Sequence, residues 1–272
     1  MPKDDRLGGR AALHQGKLSA LDVETYLRDP QRRQQFVTPM FDVIAPRYDD
    51  FTRLFSFGMD RHWKTEAIAV VVRGARGNEE HAPRVLDLAC GTGDLAIAVA
   101  RAMPGATATA LDASRRMIDE ANARLSSTAR DADVGARVRT VVGDMSALSF
   151  PDASFDVVTA GYAVRNVPDA GTAVREMARV LRPGGALVTL DFYRPAFVAW
   201  RALLLGYLAL SGNAVGWWWH RDPVVYGYIA RSISHFMSWP EFSRLLDREG
   251  FHVNHVTRHL GGGIAVHEAT RR

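Results

Sequence analysis

The amino-acid sequence predicts an α/β fold in which helices cover both faces of a parallel sheet. Strand-like and helix-like segments alternate from Arg84 to Phe192, which is the pattern of a sheet with helical connections. A glycine bend at Gly91 and Gly93 joins the first of these strands to the first of these helices. The chain has 272 residues, of which 47% are hydrophobic, so it can bury one sizeable core. We therefore expect one α/β domain with additions.

The predicted elements follow one another in this order. The first core strand, at 84–89, is built on the apolar residues Val85, Leu86 and Leu88. Further strands are predicted at 106–111, 137–142, 155–160, 186–192, 251–257 and 263–268. Helices are predicted at 60–72, 95–103, 115–126, 170–181 and 240–249. Because ligands of such sheets bind beyond the carboxyl ends of the strands, the loops at 89–94, 112–114, 144–145 and 161–166 should meet at one site.

The glycine bend is bordered by acidic side chains. Asp87 and Asp94 flank the two glycines, and Asp112 ends the second strand about twenty residues further on, where a carboxylate reaches the hydroxyls of a ribose. Carboxylates repel phosphate and attract cations. S-adenosylmethionine carries a sulfonium and an ammonium group and no phosphate, so the pattern favours this compound as the ligand. The alternative is that Asp87 only bonds the loop and that Asp94 only caps the following helix.

Charge, cysteine content and histidine spacing limit the binding partners, the location and the metal sites that we expect. The formal net charge is +4, but basic residues are mixed along the chain without a long run, so we expect no nucleic-acid partner. Cys90 is the single cysteine, which excludes an intramolecular disulfide and favours a reducing, cytoplasmic location. The histidines lack the paired spacing with carboxylates that is typical of metal ligands, so we expect no metal.

The chain is expected to divide into two parts. An N-terminal extension at 1–36 should be partly flexible, and we assign it no function. The remainder, 37–272, should form the enzyme domain, with an apolar cap insertion at about 194–238.

The segment 196–219 differs in character from the rest of the chain. Arg201 is its one formal charge, and it ends in three consecutive tryptophans. We expect 211–213, Ser-Gly-Asn, to break the run after about fifteen residues, short of the roughly twenty that a transmembrane span needs. The segment is interpreted as a helical cap over the site that contacts the bilayer interface as a peripheral element. The alternative is an ordinary buried helix pair.

Five stretches together resemble a known family. They are FDVIAPRYD at 41–49, SFGMDRHWK at 56–64, VRNVPD at 164–169, LRPGG at 181–185 and GGIAVH at 262–267. With the glycine bend, they make the chain similar to the class I S-adenosylmethionine-dependent methyltransferases and, more narrowly, to the ubiquinone/menaquinone biosynthesis C-methyltransferase family. The resemblance covers about 41–267. It implies a Rossmann-like sheet of seven mostly parallel strands with a reversed last strand, helices on both faces and a helical cap.

The resemblance also implies how S-adenosylmethionine is held. By this resemblance, the methionine part of S-adenosylmethionine would be flanked by Asp87, Ala89, Gly91 and Gly93. Asp112 would hold the ribose, and Asp144 with Met145 would meet the adenine. Physical sense agrees, because a carboxylate accepts from an exocyclic amine and a methionine covers a purine face. The alternatives are a turn or cap role for Asp144 and core packing for Met145.

The implied acceptor is a ring carbon of a polyprenylated hydroquinone, either demethylmenaquinol or its counterpart in ubiquinone synthesis. Arg165 would stabilise a developing phenolate, and Asn166 would orient the other hydroxyl. Tyr48, His62 and Tyr162 are further polar candidates, with His62 suited to proton transfer or else structural. The apolar segment 196–219 would take the isoprenoid tail.

The chain departs from the family pattern in two places. A leucine- and tryptophan-rich segment follows Phe192 where the family has a tyrosine-containing one. The asparagine that commonly follows the Tyr-Asp of the family's first motif is missing, and Thr52-Arg53 lies in its neighbourhood. Two alternatives therefore stay open: a methyltransferase of another lipophilic phenol or small molecule, and a non-catalytic component that binds S-adenosylmethionine within a quinone-synthesis assembly. A lipophilic quinol and a second copy of the chain are the expected partners.

Overall fold

The structure is a computed structural model that describes residues 30–75, 82–127, 132–221 and 224–272. Residues 1–29, most of the predicted extension, lie outside the described residues. The helices are α1 (Pro30–Ile44), α2 (Tyr48–Phe55), α3 (Met59–Ala75), α4 (Asp94–Ala102), α5 (Arg115–Ser127), α6 (Ala132–Arg137), α7 (Ala170–Val180), α8 (Val198–His220), α9 (Val224–His235) and α10 (Trp239–Arg248). The strands are β1 (Arg84–Leu88), β2 (Thr107–Asp112), β3 (Val138–Val142), β4 (Phe155–Gly161), β5 (Leu181–Phe192), β6 (Phe251–His259) and β7 (Ile264–Arg271). Helix α1 crosses the expected division at 36/37.

The strands form one seven-stranded sheet in the order β3-β2-β1-β4-β5-β7-β6. Strands β1 to β5 pair in parallel, whereas β7 runs antiparallel to both of its neighbours. The predicted mostly parallel sheet with a reversed last strand is therefore confirmed. The carboxyl ends of the parallel strands share one edge, and the loops that follow them form the site described below.

Helices cover both faces of the sheet. On one face, α3 and α4 pack Trp63, Val70 and Val99 against the strands. On the other face, α7 and α10 bury Met177 and Phe242 completely. This burial is the main source of stability, because a fully buried side chain of this size contributes about 1.5–3 kcal/mol. The strand ends are thus held by a close-packed support.

A third apolar cluster joins the N-terminal helices to the segment after β5. Met40 of α1 and Phe51 of α2 belong to the same cluster as Leu204 of α8 and Tyr228 of α9. The cavities described below lie between this cluster and the strand ends. The apolar cap is therefore built from α1 and α2 together with α8 and α9.

The predicted break at 211–213 is wrong, since α8 continues through it to His220. The Ser211 hydroxyl donates to the carbonyl of Tyr207 at 2.7 Å, and Asn213 lies against Gly227 of α9. The packing of α8 against α9 outweighs the low helix propensity of the three residues. Within the described residues, one helix, Val198–Trp219, is long and apolar enough to cross a membrane by length and composition alone, and 17% of its most apolar window is buried. In the described chain most of this window is exposed, which disfavours an ordinary buried helix pair.

Strand β5 also begins earlier than predicted. It starts at Leu181, which pairs with Phe155 before a register shift, and not at 186. The LRPGG stretch therefore belongs to the strand, with Gly184 at a φ of 75°.

Candidate active site

The glycine bend between β1 and α4 contains three residues with positive φ. Ala89 has a φ of 51°, Gly91 of 54° and Gly93 of 83°. Glycine adopts these values freely, whereas holding Ala89 there costs about 1–3 kcal/mol, a strain that is concentrated at functional sites. The N-cap of α4 is Gly93, and Asp94 is already the first helical residue. The predicted capping role of Asp94 is therefore wrong, because its side chain makes the ion pairs described below.

Asp87 is fully buried behind the bend. Its carboxylate accepts hydrogen bonds from the Thr159 hydroxyl at 2.7 Å and from the Ala96 N–H at 3.1 Å. Burial raises the pKa of Asp87 to about 7, although both bonds favour the ionised form. Asp87 thus ties β1 to β4 and α4.

A cavity beside the bend contains about 700 Å³ of space between the protein atoms, part of which is open to solvent. We call it the bend cavity. Its lining comprises Val37, Thr38, Phe41, Tyr48, Ala89, Gly91, Leu111, Asp112, Ala113, Ser114, Met117, Gly143, Asp144, Met145, Gly161, Tyr162, Ala163, Asn166, Val167 and Pro168. Two of these described side chains, Asp112 and Asp144, are acidic and none is basic. Such a cavity disfavours phosphate and suits a ligand with positive charge.

The Asp112 carboxylate bridges two loops in this cavity. Its Oδ2 accepts from the Gly91 N–H at 2.9 Å, and its Oδ1 accepts from the Ser114 N–H at 2.8 Å. Burial raises the pKa of Asp112, while the backbone donors oppose this shift. Asp144 accepts from the Ser146 N–H at 2.8 Å. The structure thus brings together Ala89, Gly91, Asp112, Asp144 and Met145, whereas Asp87 and Gly93 lie outside the lining.

Three carboxylates and two cations form a network on the α4 side of the bend. Arg124 of α5 pairs with both Asp49 and Asp94. Lys64 of α3 lies 2.8 Å from Asp94 and 3.4 Å from Asp60. Burial opposes the charged form of Lys64, but the Asp94 carboxylate outweighs it and raises the lysine pKa. Formal charges of these five groups leave an excess of one negative charge near the bend.

A second cavity, of about 570 Å³, adjoins the bend cavity. We call it the inner cavity. Its described lining is Met40, Phe41, Ile44, Tyr48, Phe51, Thr52, Phe55, Ser56, Asp60, Trp63, Tyr162, Arg165, Phe192, Tyr228 and Ile229. Phe41, Tyr48 and Tyr162 line both cavities, so a molecule in one contacts the walls of the other. Tyr162 has a φ of 57°, another strained residue at the junction.

Arg165 is buried in the wall of the inner cavity as half of an ion pair. Its Nη1 lies 2.7 Å from Asp191 and donates to the Tyr162 carbonyl at 3.1 Å, and its guanidinium stacks on Phe192. Burial alone would lower the pKa of Arg165, but Asp191 outweighs it and the pKa is raised. Arg165 is therefore a permanent cation whose Nε is buried without a hydrogen-bond partner. The Tyr162 hydroxyl is buried without a partner as well.

The other predicted catalytic residues are placed differently. Asn166 lines the bend cavity, and its amide is used by the Tyr162 carbonyl and by the Tyr228 hydroxyl. Tyr48 separates the two cavities, and burial raises its pKa, so it is a neutral phenol. His62 is exposed, packs against His259, and lines neither cavity.

Three residues of the site were missed by the sequence analysis. Asp60 is the acidic side chain of the inner cavity, Tyr228 enters from α9, and Asp191 neutralises Arg165. Asp60 lies inside the SFGMDRHWK stretch, so the motif pointed to this region of the site. Within it, His62 was the residue predicted for proton transfer. In the described part of the chain, no group of three or more His, Cys, Asp and Glu side chains is placed to hold a metal ion.

A third space, the outer groove, continues from the inner cavity under α8. Its described lining is Phe55, Ser56, Phe57, Met59, Trp63, Phe192, Trp200, Leu203, Leu204, Tyr207, Leu208 and Leu260. Phe55, Ser56, Trp63 and Phe192 are shared with the inner cavity. Hydrocarbon and aromatic side chains dominate the groove, and it reaches the surface at Phe57 and Leu203, which are both exposed. The three spaces therefore lie side by side between the bend and the surface, and neighbouring spaces share wall residues.

Two solved structures are similar to this fold. A methyltransferase from Aquifex aeolicus described as SAM dependent matches with a TM-score of 0.54 and 15% identity, over 85% of this chain and 98% of that one. The [4+2]-cyclase SpnF matches with a TM-score of 0.57 and 19% identity, over 87% of this chain and 95% of that one. Similarity at this level shows the fold alone.

Relatives in sequence are more informative. The ubiquinone/menaquinone biosynthesis C-methyltransferase UbiE of Geotalea uraniireducens is 34% identical over 232 residues, which are 85% of this chain and 93% of that protein. The demethylmenaquinone methyltransferase of Lactiplantibacillus plantarum is 32% identical over 237 residues, 86% of this chain and 95% of that protein. The model of the ubiE/COQ5 methyltransferase family matches residues 29–271. The chain therefore belongs to the ubiE/COQ5 methyltransferase family and is an S-adenosylmethionine-dependent methyltransferase.

Proposed function

We propose that this protein methylates a ring carbon of a polyprenylated hydroquinone, demethylmenaquinol or its counterpart in ubiquinone synthesis. The observation that carries this proposal is the adjoining series of bend cavity, inner cavity and outer groove. An adenosyl donor, an aromatic ring and a long hydrocarbon each need one such space, in that order. The names of the relatives point to the same class of acceptor.

The residues of the bend cavity fit S-adenosylmethionine. Its sulfonium and ammonium match a lining with two acidic side chains and no basic one among the described residues. Asp112 would hold the ribose hydroxyls, Asp144 and Met145 the adenine, and Ala89 and Gly91 the methionine part. When bound, the compound supplies a methyl group activated by positive sulfur. The acidic residues favour this cation over its neutral product.

The inner cavity supplies what an aromatic carbon needs to become nucleophilic. Phe41, Phe51 and Trp63 exclude water and orient a flat ring. Arg165, held by Asp191, places a fixed positive charge in the cavity wall, which would stabilise negative charge that develops on a ring oxygen. Because the guanidinium is fixed before the reaction, its stabilisation requires little reorganisation.

The outer groove suits an isoprenoid tail, since each buried methylene contributes about 0.8 kcal/mol. The groove opens beside a strongly apolar surface on α8, where Leu210 is 75% exposed, Trp217 59% and Trp218 68%. Tryptophans at such a surface are typical of proteins that contact the bilayer interface. We therefore propose a cytoplasmic enzyme whose 196–219 segment contacts the membrane peripherally, so that the tail passes directly between lipid and groove.

The activity is tested by transfer of a labelled methyl group from S-adenosylmethionine to demethylmenaquinol and to a demethylated benzoquinol, with product position read by NMR. We expect label on a ring carbon. Label only on another lipophilic phenol would favour the first alternative, and donor binding without any transfer would favour the non-catalytic one. Either result contradicts the proposal.

The role of the groove is tested with a matched pair of variants on α8. Leu203→Asp changes a groove residue that is 64% exposed, whereas Leu210→Asp changes a more exposed residue outside the groove lining. Leu203→Asp should lower kcat/KM for a prenylated acceptor in detergent and not for a tailless one. Equal effects of both variants on both acceptors would show that the tail binds elsewhere.

Membrane contact is tested by sedimentation with anionic vesicles. Replacing Trp217 and Trp218 by serine should release the protein from the vesicles while activity in detergent is kept. Unchanged sedimentation would contradict the contact. The predicted homodimer stays a prediction, which analytical ultracentrifugation of the full chain would decide.

A further inference from the structure

The inner cavity contains one acidic side chain among its described residues, Asp60. We propose that the Asp60 carboxylate is the proton acceptor for the ring hydroxyl whose ionisation activates the methylated carbon. The inference rests on the proposed function, which it extends by naming the destination of the hydroxyl proton.

The surroundings of Asp60 fix it in place without using up its capacity to accept. It lies in the first turn of α3, 9% exposed, and its Oδ1 accepts from the Ser56 hydroxyl at 2.9 Å. Its own N–H donates back to the Ser56 oxygen at 3.3 Å. Lys64 lies 3.4 Å from Oδ2, a distance longer than that of a strong charge-assisted hydrogen bond. Each carboxylate oxygen has two lone pairs, so Oδ2 can still accept from a substrate hydroxyl.

Three other polar residues of the lining, Arg165, Tyr48 and Tyr162, are poor proton acceptors. Arg165 is a permanent cation, since Asp191 raises its pKa. Burial raises the pKa of Tyr48 and of Tyr162, so both are neutral phenols that donate. Asp191 is fully buried and does not line the cavity. Among the described lining groups, Asp60 is therefore the carboxylate within reach of a docked ring.

Two unsatisfied donors complement this acceptor. The Tyr162 hydroxyl and the Arg165 Nε are both buried without partners, and leaving such a group unpaired costs about 1–3 kcal/mol. A ring with two oxygens resolves the imbalance, because one oxygen accepts from these donors while the hydroxyl of the other donates to Asp60. The cavity walls thus contain donors and an acceptor of the kinds that a dihydroxy aromatic ring can use.

The step balances as follows. The hydroxyl proton moves to Asp60 as the ring carbon forms its bond to the methyl group, and the electron pair of the broken methyl–sulfur bond stays on sulfur. The ring C–H proton then leaves to water, Asp60 returns its proton to the ring oxygen, and aromaticity is restored. One proton is released for each methyl transferred.

The test compares Asp60→Asn and Asp60→Glu with Asp94→Asn, which removes the other carboxylate that contacts Lys64 but lies outside the inner cavity. At saturating donor, Asp60→Asn should lower kcat by about 100-fold or more, the usual contribution of a general base. It should also abolish the acidic limb of the kcat–pH profile. The groups that face Asp60 are Lys64 and Tyr162, with Asp94 reached through Lys64. Asp60→Glu should restore the limb, and Asp94→Asn should keep it.

A second readout varies the acceptor. Quinols made more acidic by ring fluorination need less help to ionise, so the defect of Asp60→Asn should shrink with them. An equal defect with all acceptors, or an unchanged pH profile, would overturn the assignment. A wild-type protein that methylates none of these quinols would instead overturn the proposed function.

A binding measurement tests the contact between Asp60 and the ring hydroxyl without any catalytic step. In the complex with S-adenosylhomocysteine, the wild-type protein should bind a quinol more tightly than its monomethyl ether at the activated position, by calorimetry. Asp60→Asn should reduce this preference at least several-fold, and Asp94→Asn should preserve it. Equal preference in all three proteins would show that Asp60 does not contact the hydroxyl.

Discussion

Replacing Asp112 tests how the donor is held. The carboxylate accepts from the Gly91 N–H at 2.9 Å and from the Ser114 N–H at 2.8 Å, and its free lone pairs would accept from the ribose hydroxyls. Hydrogen bonds to a charged group contribute about 1.5–3 kcal/mol, part of which water replaces in the variant. We therefore expect Asp112→Ala to weaken S-adenosylmethionine binding by about 1–3 kcal/mol, a 5- to 150-fold rise in Kd.

The same change also removes the acceptor of a bend N–H, so ribose contact and loop support must be separated. Calorimetry with S-adenosylhomocysteine and its 2′,3′-dideoxy analogue achieves this as a double-mutant cycle. If Asp112 contacts the hydroxyls, Asp112→Ala should cost the dideoxy analogue much less affinity than the parent compound. Asp144→Ala, in the same cavity, should weaken both ligands equally. An identical loss for both ligands in Asp112→Ala would refute the ribose assignment.

Three further predictions concern charge. Burial lowers the pKa of His267 to about 4, so below pH 6.5 this histidine binds a proton in the unfolded chain and stays neutral in the folded chain. The free energy of unfolding, measured by denaturant titration, should therefore decrease by about 3 kcal/mol between pH 6.5 and 4. His267→Gln should lose this part of the pH dependence. Arg165→Lys should lower kcat and leave donor affinity unchanged, whereas Arg165→Ala should also destabilise the fold by about 3–5 kcal/mol because Asp191 is left buried and unpaired. The Asp87 pKa of about 7 implies that affinity for the cationic donor falls as pH decreases below 7, since protonation removes the attracting charge; a flat Kd from pH 5.5 to 8 would contradict this coupling.

Local patterns in the sequence were sufficient to predict the sheet and the glycine bend. A mainly apolar segment such as 85–88, bounded by turn residues, indicates a buried strand, and glycines at 91 and 93 adopt the positive φ values observed there without strain. The order of motifs then placed Asp112, Asp144 and Met145 at the carboxyl edge, where the structure has them in one cavity. These features depend on residues close together in the chain.

Features that depend on distant partners could not be predicted. Asp191 neutralises Arg165 from 26 residues away, and Tyr228 reaches Asn166 from 62 residues away. Asp94 reads as a helix cap in the sequence, yet Lys64 and Arg124 draw its side chain into an ion network. Helix α8 continues through Ser-Gly-Asn because α9 packs beside it. In each case tertiary contacts outweigh local propensity.

The most direct test of the whole account is a crystal structure with S-adenosylhomocysteine and a demethylated quinol that carries several isoprene units. We predict adenosine in the bend cavity with its ribose at Asp112, the ring in the inner cavity beside Asp60 and Arg165, and the tail in the outer groove under α8. A donor product bound away from Asp112, or a ring bound outside the inner cavity, would contradict the account.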